Sequence, residues 1–406
     1  MKRLATTRLG VCAAAWMLWP LGNAVAQVSP FPPELLARIQ QGVHDIYNLE
    51  YERAASNFER LIKEAPNDPA GYAYLAFTYW VQELNKKQGL SIDRFAASDF
   101  FSELPKYALQ PDPSFEARFR QASERAIERA QALLQKNPDD RAALFVRGVA
   151  YQNLASFEIG LRRSWWAAFR YGSKTYRDHR ELLRRDPNFH DAQLSTGAYN
   201  YVAGSVSWTV KCVGYLLGYR GDKARGKQDL EIAADKALLV GDDARVILIL
   251  INTREKNYQK ALEYLSQLRQ RYSQNYLAPL DMAGLALRMK QPEKAIAIYE
   301  EILRKREAKA PKFAELERAA LYNRLGVAFR EKGDLNASAG WFGKSLVESR
   351  ASARSLTLAR LELGKTLDLQ GRRDEALTQY KTVAAAEDVA GSQQEAKELL
   401  RRSFRP

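Results

Sequence analysis

Three histidines and two cysteines limit the side-chain chemistry open to this sequence. His179 and His190 lie among Asp178, Asp186 and Asp191, residue types that can ligate a divalent cation or move a proton. Their spacing matches no metal-ligand pattern and Pro187 separates the two rings, so they read as surface histidines near a helix junction. The sequence contains no Gly-x4-Gly-Lys phosphate loop, His-Glu-x2-His pair, nucleophile elbow or calcium loop. Carboxylates are plentiful, but none stands apart as an acid–base pair. This points away from catalysis and from any cofactor or metal, and towards binding.

Two segments carry residues suited to recognition. The first is Arg162-Arg163-Ser164-Trp165-Trp166, continuing through Phe169, Arg170, Tyr171, Lys174, Tyr176 and Arg177. Within 161–185 eight basic residues face two acids, and tryptophan with arginine suits a polar–apolar boundary. Arg162, Arg163, Trp165, Trp166 and Arg170 form the candidate basic–aromatic surface, against the plainer reading of an aromatic core stripe with a solvated basic flank. The second segment, 206–218, is apolar nearly all round and must be buried, within the chain, in a partner or in lipid.

The elements that position these residues are helical throughout. Ala, Leu, Glu, Arg and Gln dominate, apolar residues recur at three- and four-residue steps, and strand alternation is essentially absent. Pro66, Pro138 and Pro187 each end a helix, and a following Asn or Asp can cap the next. The C-terminal half repeats itself. Tyr322-x2-Leu325-Gly326-x2-Phe329 recurs as Arg360-x2-Leu363-Gly364-x2-Leu367, with turns at Gly333-Asp334 and Gly371-Arg372. Ala261/Leu265, Ala295/Tyr299 and Ala376/Tyr380 mark second helices, and Ala261 to Ala295 spans 34 residues. These types at this period resemble the tetratricopeptide repeat. The resemblance implies an all-α, right-handed solenoid of about eight helix pairs that binds along a concave face.

Regular repeats are expected over 242–406, ending in a capping helix. Divergent repeats are expected over 35–241, with insertions near 85–114, 152–170 and 206–220. If first helices line the concave face, Phe77, Trp80, Phe145, Gln152, Asn153 and Tyr201 would line it in the first half, and Asn323 and Lys365 in the second. The insertions could instead fill that groove themselves. Gly197–Ala233, with Gly221-Asp222-Lys223-x2-Gly226 after an apolar helix, also resembles the tetratricopeptide-repeat-39/inclusion-body-clearance family. That likeness implies a non-enzymatic repeat protein linked to aggregate clearance and lipid-related processes.

Residues 1–26 read as a secretory signal: Lys2, Arg3 and Arg8, an apolar stretch from Val11 to Leu21, then Ala24-Val25-Ala26. Residues 27–34 would be a Pro-rich spacer. Cleavage near Ala26 would leave Cys212 as the one cysteine, which rules out an internal disulfide and fits a periplasmic or secreted bacterial protein. The formal charge of +14 favours an acidic protein or peptide partner, or an anionic lipid or membrane surface. Export argues against nucleic acid. The function expected is a scaffold for protein–protein interaction, the alternative a lipid-binding or membrane-surface repeat protein.

Overall fold

The computed structural model describes residues 29–87, 90, 111–162, 164–205, 221–389 and 391–405. The signal-like segment, both cysteines, Arg163, the apolar stretch 206–218 and most of 85–114 lie outside the described residues.

Within the described residues the chain is all-α. Helices pair as α1 (Pro33–Tyr47) with α2 (Tyr51–Glu64), and α3 (Pro69–Lys86) with α4 (Pro113–Lys136). Next come α5 (Arg141–Phe157) with α6 (Trp165–Arg185), and α7 (Gln193–Ser205) with α8 (Lys223–Lys236). The second half pairs α9 (Gly241–Arg254) with α10 (Tyr258–Arg271), and α11 (Leu277–Arg288) with α12 (Pro292–Glu307). It ends with α13 (Arg318–Lys332) and α14 (Leu335–Leu346), α15 (Ala353–Leu369) and α16 (Arg373–Ala385), and the closing α17 (Ser392–Arg401). Each pair packs on the next, and first helices of adjacent pairs lie side by side, as α3 against α5 and α13 against α15. Among the described residues this is a solenoid of eight helix pairs.

Local chemistry explains the boundaries. Proline opens α1, α3, α4 and α12, where its missing N–H leaves no bond unmade. The caps sit one residue later than the sequence suggests. Asp68 accepts from the Ala70 N–H at 2.8 Å and Asp140 from the Ala143 N–H at 2.9 Å, because residues 66–67 and 138–139 are spent on turns. After Pro187 no Asn cap forms; a short 3-10 turn, His190–Ala192, leads into α7.

Pairs lock together where a glycine receives a ring. A Cβ on Gly42 would lie 2.1 Å from Phe58 Cζ, one on Gly326 2.6 Å from Phe342 Cε1, and one on Gly364 2.5 Å from Tyr380 Cε1. In the third pair His179 takes the place of the ring: a Cβ on Gly148 would fall 2.1 Å from its Nε2. In the fourth there is no ring. A Cβ on Gly226 would stand 2.4 Å from the Tyr201 backbone N, so α7 and α8 touch backbone to backbone.

The first half is not an open trough. One hydrophobic cluster runs from Phe31 through α1, α3, α5 and α7 to Leu285 in α11. Tyr47 of α1 stacks on Tyr272 with centroids 5.0 Å apart, and its hydroxyl donates to Asp243 Oδ1 at 2.5 Å. Asn275 Nδ2 donates to the Tyr47 carbonyl at 2.8 Å, and Asn85 Nδ2 to the Tyr276 hydroxyl at 3.2 Å. The first pairs thus pack against α9–α11. Residues 29–32 are part of that packing, because Phe31 is buried with its edge on Phe145 at 6.2 Å.

This junction is pH-sensitive. Burial, then the neighbouring Asp242 and Asp191 charges, push the Asp243 carboxyl up to about 7, although the Tyr47 hydrogen bond opposes the shift. Between about pH 4 and 7 the folded state therefore holds a proton that the unfolded state has released, and stability contributed here falls as pH rises. Buried His179 is pushed down and acts oppositely, losing stability as pH falls through the ordinary histidine range. The expected result is that Asp243→Asn removes a falling slope between pH 4 and 7. Urea melts of variant and parent across that range check it, and parallel stability curves would refute it.

Candidate functional site

Most of the expected groove residues turn out to be internal contacts. Phe145 is fully buried, stacked on His179 at 5.2 Å and tilted against Phe189 at 5.4 Å. Trp80 is buried with Phe115, Phe119, Phe157 and Leu161, and Phe77 is half-buried beside it. Asn153 is buried and joins α5 to α3 through the Ala73 carbonyl at 2.9 Å, while Gln152 remains half-buried. Tyr201 is buried and donates to Glu255 Oε1 at 3.2 Å. The expectation of an open aromatic groove in the first half is therefore corrected: Phe31 covers Phe145, α4 and the end of α5 enclose Trp80, and α3 and Glu255 engage Asn153 and Tyr201.

The second-half positions are likewise engaged. Asn323 Nδ2 donates to the Ser355 carbonyl at 2.9 Å. Lys365 is buried, with its ammonium 2.7 Å from both Glu362 Oε1 and Glu395 Oε1. Burial would raise the Glu362 carboxyl, but the Lys365 and Arg330 charges outweigh it and hold the group low.

His179 and His190 are also not surface groups. His179 is buried, with Nε2 donating to the Phe145 carbonyl at 3.0 Å, which leaves Nδ1 to accept from the Ser195 hydroxyl. His190 is buried with Nδ1 3.1 Å from Gln193 Oε1. Among the described residues no cluster of three or more His, Cys, Asp or Glu side chains is placed to hold a metal.

The basic–aromatic segment is what stays outside. A five-residue π turn, Glu158–Arg162, follows α5 and redirects the chain, so that α6 begins at Trp165. Its buried stripe, Ala168, Thr175, Asp178, His179 and Leu182, packs inward. The opposite stripe follows helical spacing through Trp166, Arg170, Arg177 and Arg184, all exposed. Trp166 is 69 % exposed and lies 6.1 Å from the Phe169 ring; the other exposed large hydrophobics among the described residues are Val246 and Val347. Trp165 is half-buried.

The cations on this face differ in how far they are committed. Arg162 is exposed but grips Glu116 of α4 at 2.6 and 2.7 Å, and Arg120 binds the same carboxylate at 2.7 Å. Burial would raise Glu116, yet the two arginines hold it low. Arg184 is forked onto Glu181. Arg177 is 72 % exposed and 3.7 Å from Asp178, a carboxylate already held by Arg147 at 2.7 and 2.9 Å. Arg170 is exposed with no ion pair among the described residues. Arg180 lies 6.0 Å from the Tyr176 ring, which stacks on Tyr199 of α7 at 4.1 Å.

Trp166, Arg170, Arg177 and Arg180 are therefore the groups on hand for a ligand. They offer one apolar anchor and three cations along one helix. Tyr199 is the contributor that sequence reasoning missed, since it comes from the next repeat. The surface can hold carboxylates or phosphates beside an apolar group.

Residues 253–320 and 214–276 match two family profiles described as tetratricopeptide repeat. No curated protein matches the sequence. Among solved structures the chain is similar to yeast Tom70, at 12 % identity and TM-score 0.39, over 91 % of this chain and 95 % of that one. It is similar to a human IFIT1 dimer with m7Gppp-AAAA, at 13 % identity and TM-score 0.42, over 93 % and 89 %. A tetratricopeptide repeat protein from Parabacteroides merdae aligns at 14 % identity and TM-score 0.31, over 80 % and 98 %.

Proposed function

We infer that this chain, a tetratricopeptide-repeat protein, is a non-enzymatic scaffold that captures an acidic protein partner on the outer face of α6. Repeats of this kind present extended binding surfaces. The observation that carries the choice of surface is Trp166, exposed at 69 % on the same stripe as Arg170 and Arg177. An exposed tryptophan beside arginines that lack strong partners combines an anchor with charges able to steer an acidic surface. Phe145, Trp80, Asn153 and Tyr201 of the first-half groove lack that availability, because their side chains already pack within the chain. The basic, apolar and small-residue pattern of 1–26 supports a site of action after export, in a bacterial envelope.

The test uses a labelled peptide rich in aspartate and glutamate around one tyrosine, followed by fluorescence polarisation at low and high salt. Arg170→Glu with Arg177→Glu is expected to weaken binding by about tenfold or more at low salt, less when salt screens the charges. Trp166→Ala should weaken it at both. Equal binding by parent and variants would overturn the assignment. Phosphatidylglycerol vesicles form the second arm, since tryptophan and arginine also suit a membrane boundary. Flotation with vesicles and no peptide binding would replace the protein partner by a membrane surface.

A further inference from the structure

The tail that follows α17 lies against the first helices of the last two pairs, α13 and α15. Arg402 leaves the helix in an extended conformation, φ −142° and ψ 144°. Phe404 then turns back, and its backbone N–H donates to Asp368 Oδ2 at 2.8 Å. Its ring is half-buried, with the Arg330 guanidinium and the Lys365 ammonium each 5.6 Å from its centroid. Arg330 comes from α13, Lys365 and Asp368 from α15. Both are first helices of their pairs.

The contacts are of the kind a bound peptide makes: one backbone N–H, one ring and two cations around it. The receiving groups are also self-sufficient. Asp368 is also held by Arg373 at 3.0 Å and by the Tyr380 hydroxyl at 2.9 Å, neither of them part of the tail. Arg330 keeps Glu362 at 2.5 Å, and Lys365 keeps Glu362 and Glu395. Departure of the tail therefore strands no buried charge, and it uncovers the edge of the C-terminal core cluster on which the Phe404 ring packs. It would uncover a prebuilt subsite for an aromatic side chain.

We propose that Arg330, Lys365 and Asp368 form a peptide-binding site for an extended segment carrying an aromatic residue, and that residues 402–405 are its resident occupant. The tail thereby competes with any such ligand. This site is separate from the α6 face, and either can fail without the other.

A labelled peptide of residues 399–406 is the probe, titrated into the full chain and into a chain ending at Arg401. The truncated chain should bind it at least about tenfold more tightly, since the full chain has little open site. A probe with alanine at the Phe404 position should bind the truncated chain about tenfold more weakly. Should truncation prevent folding, the full chain carrying Phe404→Ala should bind the parent probe about tenfold more tightly than the parent chain does. Equal binding by the open and closed forms, or none to an open form that circular dichroism shows to be folded, would overturn the proposal.

Discussion

Asp191→Ala is expected to lower the free energy of unfolding by about 3 kcal/mol or more, because it leaves several buried N–H groups without an acceptor. The Asp191 carboxylate is 2 % exposed and sits in the short turn before α7. It accepts from the Leu239 and Val240 N–H groups at 2.8 and 3.1 Å, and from Leu238 at 3.3 Å. Those amides precede α9, so one side chain ties the α7 entry to the start of the regular repeats. The lesion should spread, since the same junction carries the Tyr47–Asp243 bond. Urea denaturation is the measurement, and Asp191→Asn, which keeps an acceptor oxygen, should recover part of the loss. A change below about 1 kcal/mol would mean that water reaches those amides when the carboxylate is removed.

Gly42→Val should destabilise the first pair by about 3 kcal/mol, at the upper end of overpacking effects. Its Cβ would stand 2.1 Å from Phe58 Cζ, and Phe58 is fully buried with no space to retreat into. Because α1 also packs on α9–α11, displacing it should loosen the middle of the chain as well. The double variant with Phe58→Ala should recover part of the loss by making room, at the expense of the ring's own burial. Calorimetry of the single and double variants decides this; additive losses would show that the ring and glycine do not share one packing site.

The repeats were readable in the sequence because their packing leaves a periodic mark. Gly42 with Phe58, Gly326 with Phe342 and Gly364 with Tyr380 keep one spacing, and the same pairs meet in the structure. His179 broke that pattern. The π turn and the long α6 move it far from Gly148, so nothing nearby signals that its ring fills the glycine notch. The basic–aromatic face was readable from composition, while the loss of Arg162 to Glu116 was not, since that partner lies 46 residues earlier. The closure of the first half was the least readable feature. Tyr47 and Asp243 are 196 residues apart, and a tyrosine–carboxylate bond at that separation leaves no period to detect. Inward positions chosen from repeat numbering alone, such as Phe145, were therefore assigned to a surface that the chain itself covers.

Hydrogen exchange with and without the acidic peptide tests the central claim most directly, namely that binding uses the outside of α6. Protection is expected in α6 around Trp166–Arg180 and in the adjoining turn of α7 at Tyr199, with α3 and the interior of α5 unchanged. Protection that spares α6 and appears instead along α3 and α5 would place the ligand in the interior of the first half and contradict the account.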